Sequence, residues 1–512
     1  MTSALSLSFL APCVLLAAAT LALRRPGRRP GALPRLSEGA ALVALALCVA
    51  GLVQLVLQRP INGAMRADSI SLALALLVGF IGWVVMRYSR RYLDGEAREG
   101  AFHGLMLAVL AAVLVFVQAG SLWVMAGAAI AVGLGLKRLL LFYPDRPEAR
   151  RAATKFALVW HGGDTALVLA TILLTLTFGT ANLATLSAMV AQEGPGVAGQ
   201  LAIALIVMAG LLKTAAFPLH GWLTEVMEAP TPVSALLHAG IINAGGVLLV
   251  TSAGLIQHSP GAMAALVMTG GFTALFGATV MLTQSAIKTG LAWSTVSQMG
   301  FMLLQCGLGL WPLAVLHILA HSLYKAHAFL SSGGAVATVA SLRRPGPVAV
   351  PGPGAVIRAF ALALGLYGVI AFGFTVLLGP KSPQALALGA ILIFGVAYLV
   401  AQGLADMAPA ALTRRTAGAS LAAALAYFTF QAGAEALWSP LLPDAPLPGA
   451  LGWALILLAL ASFGAVALAQ ALFPLWAHHP ATAGLRVHLA NGLYLNALLD
   501  RAIGGLKLNK SG

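Results

Sequence analysis

The residues able to do chemistry in this 512-residue sequence are few, and they sit in apolar surroundings. Lys213 stands in GLLKTAAFPLHGW, after an apolar stretch and five residues before Pro218. Proline removes a backbone N–H and frees the carbonyl four residues back, so a helix carrying Lys213 is expected to break beside the amine. His317, His321 and Lys325 follow one another at four-residue steps in LHILAHSLYKAHAF. That spacing lays them along one slowly drifting helical stripe, with His327 on another side. Imidazole titrates near neutrality and a desolvated amine gives up its charge readily, so the stripe suits a proton or ion relay. Metal is the weaker reading, because no glutamate follows the first histidine and no third ligand is evident. Histidines held structurally inside a bundle are the third. His238, in PTPVSALLHAGIINAGG, is a further imidazole in an apolar run. Glu225 and Glu228 lie between Lys213 and His238, placed to pair with Lys213 or to cap the next helix. Asp164, in VWHGGDTALVLA, is the acid set deep in the first half, with His161 and two glycines beside it.

The elements that must carry these groups follow from composition. The chain is 60% hydrophobic and 9% charged, with a mean hydropathy of +0.92. A soluble domain is nearer half apolar and a quarter charged. The apolar runs are long and continuous, which excludes a β-barrel. Fifteen runs approach the ~20 residues of a membrane crossing. The expected fold is an all-α polytopic membrane protein of about 14–15 transmembrane helices. An ionisable side chain at that depth is costly, and so marks function by default. The first run lacks a basic leader and an A-x-A site and is expected to remain as a span.

The formal net charge is +15, but the basic residues gather at one set of run ends. Arg24, Arg25, Arg28, Arg29 and Arg35 begin the series, and it continues through Arg87, Arg90, Arg146, Arg150, Lys155, Arg343 and Arg414 into the tail. The opposite ends hold only Arg59, Arg66 and Lys381. This is the positive-inside bias. It puts the N-terminus outside and the C-terminus in the cytoplasm of a cell inner membrane, and it accounts for the charge without nucleic acid. Cys13, Cys48 and Cys306 have no CxxC spacing and read as buried structural thiols. No dinucleotide loop, P-loop or iron–sulfur cysteine set is present. After Trp476 the pattern becomes that of a cytoplasmic amphipathic helix lying on lipid or against a partner. Arg486, Tyr494 and Arg501 are its candidate docking anchors.

Three runs carry a resemblance: LLKTAAFPLHGWLTEVMEAPTPVSALLHAGIINAGGVLLV, TQSAIKTGLAWSTVSQMGFM and LHILAHSLYKAHAFLSSGG. They resemble the proton-translocating antiporter-like family, which includes the large membrane subunits of complex I-like NADH-quinone oxidoreductases and Mrp-type cation/proton antiporters. The resemblance implies two inverted five-helix repeats, each with a broken helix. It implies a division into N-terminal helices at 1–101, an antiporter-like core at 102–405, C-terminal helices at 406–475 and a tail at 476–512. It assigns Lys213 to the broken helix with His238 as its neighbour. His317, His321 and Lys325 become the central group, and Asp68 the acidic start of the third span. Two departures stand out. The acid usual on the fifth span is absent near Ala129 or Ile130, which leaves Asp164 as the counter-charge nearest Lys213 by depth. The second repeat offers only Lys381, at its outer end. Within the family, HSLYKAHAFLSSG and RVHLANGLYLNALLDR resemble the membrane subunits of DAB inorganic-carbon uptake complexes. That implies coupling of H+ or Na+ flow to CO2 capture as bicarbonate, by a soluble DabA-like zinc subunit similar to β-carbonic anhydrases. No cofactor is expected in this chain itself. The alternative is a complex I-like or Mrp-type subunit.

Overall fold

A computed structural model describes residues 5–58, 60–334, 352–403, 410–472, 476 and 479–502. Arg59, Arg343, Arg344, Lys507, Lys510 and most of the Pro/Gly loop read at 343–354 lie outside the described residues. A helix stands at each of the fifteen apolar runs. They are α1 (Leu7–Leu23), α2 (Leu33–Leu57), α3 (Ser69–Tyr92), α4 (Glu99–Val117), α5 (Leu122–Leu140), α6 (Pro147–Phe178), α7 (Gly196–Lys213) and α8 (Thr231–Thr251). There follow α9 (Pro260–Met281), α10 (Ile287–Gly307), α11 (Trp311–Ser331), α12 (Pro353–Leu378), α13 (Pro383–Gly403), α14 (Ala410–Trp438) and α15 (Ala450–Ala471). The tail adds α16 (Pro480–Ala490) and α17 (Leu495–Ala502). Eleven of the helices are each long and apolar enough to cross a membrane. Among the described residues there is no strand, only three isolated bridges, such as Ile61 with Ala67.

The outer surface is apolar: Leu176, Val369, Phe372 and Leu377 are 71–80% exposed. Such side chains in water would be a liability; against lipid they are at home. Burial grades inward from there. The most apolar window of α8 is 89% buried, against 22% for α12 and 11% for α15. The centre of the bundle is therefore the helix that carries His238.

Two interruptions shape this centre. Helix α7 stops at Lys213, where Thr214 N–H closes on the Gly210 carbonyl. Ala215 then turns left-handed at φ 51°, and Pro218 has no N–H with which to continue the ladder. Helix α8 is interrupted at Gly240–Asn243. The break expected in the second repeat is not found in α12, which runs as one helix over Pro353–Leu378. No acidic, basic or histidine side chain lies between Arg358 and Lys381 that a break there would serve.

Asp68 has a local task. Its carboxylate accepts the Ile70 and Ser71 backbone N–H groups at 3.0 and 2.8 Å, while Ser71 Oγ accepts the Asp68 N–H at 2.9 Å. This capping box satisfies donors that the first turn of α3 leaves open. Of the three thiols expected to be buried, Cys48 and Cys306 are, and Cys13 is exposed.

Candidate functional site

The first cluster is built on α6 and the end of α7. Asp164 and Lys213 meet at 2.5 Å, with Lys213 fully buried and Asp164 4% exposed. Asp164 is thus the counter-charge that the fifth span lacks. Its second oxygen is 2.9 Å from His161 Nδ1, and the His161 side chain is 35% exposed. One carboxylate therefore joins a buried amine to an imidazole that reaches the protein surface. The Lys213 ammonium also stands 4.1 Å over the Trp160 ring. Trp160 Nε1–H donates to the Ala129 carbonyl at 3.1 Å, on the stretch of α5 where an acid was looked for. Gly133 makes this possible, since a Cβ there would lie 2.5 Å from Trp160 Cδ1. A lysine closing the last turn of a helix also meets the negative end of its dipole.

The second cluster joins α8, α10 and α11. The interruption at Gly240 leaves the His238 carbonyl without its helical donor, and His321 Nε2 bonds to it at 3.1 Å. His321 Nδ1 meets Gln298 Oε1 at 2.7 Å, and His317 Nδ1 meets Gln305 Oε1 at 3.0 Å. His238 stacks on Phe329 at 4.3 Å and bonds through Nδ1 to Thr295 Oγ1 at 3.1 Å. Lys325 is fully buried and donates to the Leu291 carbonyl at 3.1 Å and to Ser294 Oγ. Among the described residues it has no carboxylate partner. His327 is exposed on the other side of α11, as its spacing implies.

Both ring nitrogens of His321 face oxygens, and a carbonyl only accepts. The arrangement with Gln298 Oε1 toward the ring is that of an imidazolium. Turning the Gln298 amide over presents an N–H instead and fits the neutral ring. Protonation of His321 and the orientation of one amide are therefore tied together.

Residues beside each cluster, Trp160 and Ala129 as well as Asn243 and Ser322, line a small cavity of about 30 Å³. That is room for a water molecule. Asn243 Nδ2 donates to Ser322 Oγ at 2.9 Å, while its Oδ1 is buried without a partner. Among the described residues no hydrogen bond or ion pair joins the two clusters directly.

Glu225 is not part of either cluster, which corrects the pairing with Lys213 allowed by the sequence. It lies 2.5 Å from Lys155, whose amine also meets Asp500 of α17 at 2.7 Å. Lys155 is fully buried. Burial pushes the Glu225 carboxyl above its ordinary range, and the Lys155 ammonium pulls it back only in part. Glu228 pairs with Arg146 at 3.1 Å. Helix α17 is thus seated on the protein: Asn496 Nδ2 donates to Thr224 Oγ1 at 3.1 Å. A Cβ on Gly221 would lie 1.8 Å from Asn496 Oδ1. Arg486, Tyr494 and Arg501 point away from this contact and are exposed.

Sequence reading missed Lys155, Trp160, Gln298, Gln305 and Ser294. Lys155 looked like one more basic residue at a cytoplasmic end. The glutamines had a usable signal, because a seven-residue separation puts both on one face of α10.

The fold is that of antiporter-like membrane subunits. Residues 119–344 match the NADH:quinone oxidoreductase/Mrp antiporter transmembrane family. A probable inorganic carbon transporter subunit DabB2 of Halothiobacillus neapolitanus is 37% identical over 88% of this chain and 81% of its own. A probable DabB subunit of Hydrogenovibrio crunogenus is 42% identical over 52% of each chain. The Mrp complex of a Dietzia species contains a chain with the same fold, at TM-score 0.63 and 23% identity, over 98% of this chain and 60% of that one. Within the antiporter-like class, the chain belongs to the DabB family of inorganic carbon transporter subunits.

Proposed function

We propose that this chain is the membrane subunit of an energy-coupled inorganic carbon uptake pump. It conducts a cation, H+ or Na+, inward across the cell inner membrane, with its C-terminus in the cytoplasm. That flow drives a soluble DabA-like zinc subunit that captures CO2 as bicarbonate. The observation that carries the reading is the buried Lys213–Asp164 pair at 2.5 Å in a chain of the DabB family. Splitting or recharging such a pair leaves a single charge in a medium of low dielectric, at a cost of several kcal/mol. The pair holds when both groups are charged and rearranges when a proton or cation arrives beside it. His161 gives Asp164 an exchange partner at the surface. Beyond the water-sized cavity, His238, His321 and Lys325 supply the next acceptors.

The test is growth of a carbonic-anhydrase-deficient host in ambient air, with this chain expressed alone, with its soluble partner, and as Lys213→Ala with the partner. Rescue is expected only from the intact pair of subunits. Rescue by Lys213→Ala at normal membrane abundance would remove Lys213 from the pathway. Failure of the intact pair, with Na+ or H+ exchange activity in vesicles, would favour an Mrp-type role.

A further inference from the structure

The His317/His321 side of the second cluster borders a crevice of about 580 Å³ that, among the described residues, neither α12 nor any charged residue of the second half enters. Its walls come from α10, α11, α13 and α14. On α11 it runs from Leu313 to Tyr324, and on α10 from Gln305 down to Gln298. On α13 it includes Gly389 and Leu392, and on α14 Ala423 to Phe430. These stretches lie mainly toward the ends at Trp311, Lys381 and Glu435, opposite the arginine-rich ends, and Tyr324 carries the crevice just past the middle of α11. The crevice therefore enters from the side opposite the arginine-rich ends and reaches the depth of His321 and Tyr324.

Its polar residues form a ladder. Gln305 holds His317 Nδ1 and Gln298 holds His321 Nδ1, and the two imidazole rings are 6.0 Å apart. With Nδ1–H donated to Gln305 Oε1, Nε2 of His317 is left as an acceptor, and it has no hydrogen-bond partner among the described residues. Among the described residues no carboxylate lines the crevice. A bare Na+ seeks a cage of oxygens with charge among them, whereas a free imidazole nitrogen is a proton acceptor.

We propose that this crevice is the outer proton port of the subunit, filled with water and ending on His317 and His321, and that it replaces the route through α12. A proton from crevice water adds to Nε2 of His317. The resulting imidazolium gives up one proton to water between the rings, and His321 accepts it as the Gln298 amide turns its oxygen toward the ring. Each hop moves one proton and leaves the donor as it began. Lys325 continues the series toward the cytoplasmic end.

The inference rests on the proposed ion-coupled function, but its labelling arm does not need transport. Leu316→Cys and Leu392→Cys, and Ala423→Cys as a third site should either disturb folding, are made in a background lacking the native cysteines. The full complex in right-side-out vesicles is treated with a membrane-impermeant, charged methanethiosulfonate or with lipid-partitioning N-ethylmaleimide. The charged reagent is expected to label the crevice cysteines from outside and to cut uptake at least fivefold relative to the same variant before labelling. Labelling by N-ethylmaleimide alone would mean that the crevice holds lipid, and would overturn the proposal. So would full labelling by the charged reagent without loss of uptake. If the unlabelled complex takes up no inorganic carbon, the functional reading fails while the accessibility result still decides whether water fills the crevice.

Discussion

Asp164→Asn is the sharpest perturbation the structure offers. The substitution keeps shape and removes the one carboxylate that Lys213 has, at 2.5 Å, around an amine with no solvent exposure. Removing one partner of a buried ion pair costs ~3–5 kcal/mol, because the other charge is left uncompensated. At ~1.4 kcal/mol per tenfold, the population holding a charged Lys213 should fall roughly a hundredfold to a few thousandfold. Uptake should drop below what supports growth in air. Lys213→Met should do the same from the other side. The double variant, Asp164→Asn with Lys213→Met, has no buried charge left. It should remain inactive yet be more stable than either single, with a coupling of ~1–3 kcal/mol. Thermal unfolding in detergent, followed by tryptophan fluorescence alongside growth rescue, separates the two quantities. Stability losses in the double variant equal to the sum of the singles would refute the pairing.

Three further outcomes follow from the same geometry. His321→Ala with Lys325→Ala should impair uptake little more than the poorer single, since groups acting in series are non-additive; multiplying defects in initial uptake rates would point to structural histidines instead. Gly221→Val should force Asn496 away, given a Cβ contact of 1.8 Å, and open the C-terminus to limited proteolysis with the spans intact; unchanged protection would show that the tail is not seated there. Truncation after Trp476 should leave insertion intact and abolish co-purification of the soluble zinc subunit. Retained co-purification with lower membrane yield would make the tail a lipid contact and move docking to the loops at 87–101 and 343–358.

The places of the apolar helices were legible because hydropathy over ~20 residues is a sum of many small terms that point one way; eleven of the fifteen are long and apolar enough to cross a membrane. The break at Lys213 was legible because Pro218 permits little else. Asp164 could be proposed from depth alone, as the acid placed to stand in for the one missing near Ala129. What was not legible depends on rotation of one helix against another. Nothing local tells Glu225 to choose Lys155 over Lys213, or tells Trp160 to fill the space that Gly133 leaves on α5. Lys155 was hidden for another reason. It follows Arg150 and Arg151 at an arginine-rich end, and charge patterning cannot distinguish a lysine facing headgroups from one covered by a helix hundreds of residues later.

That last contact also sets an order of events in synthesis. Lys155 enters the membrane boundary early and has Glu225 soon after, but Asn496 and Asp500 arrive from a helix 341 and more residues downstream. Until then the amine has one carboxylate and an uncovered side, and the turn from Gly221 to Thr224 beneath the broken helix lacks its clamp. The subunit therefore closes this floor only after all fifteen of the apolar helices have been made. A chain clipped after Trp476 would keep the fifteen helices and still lack the piece that fixes the floor, and quality control would have an exposed lysine and glutamate by which to recognise it.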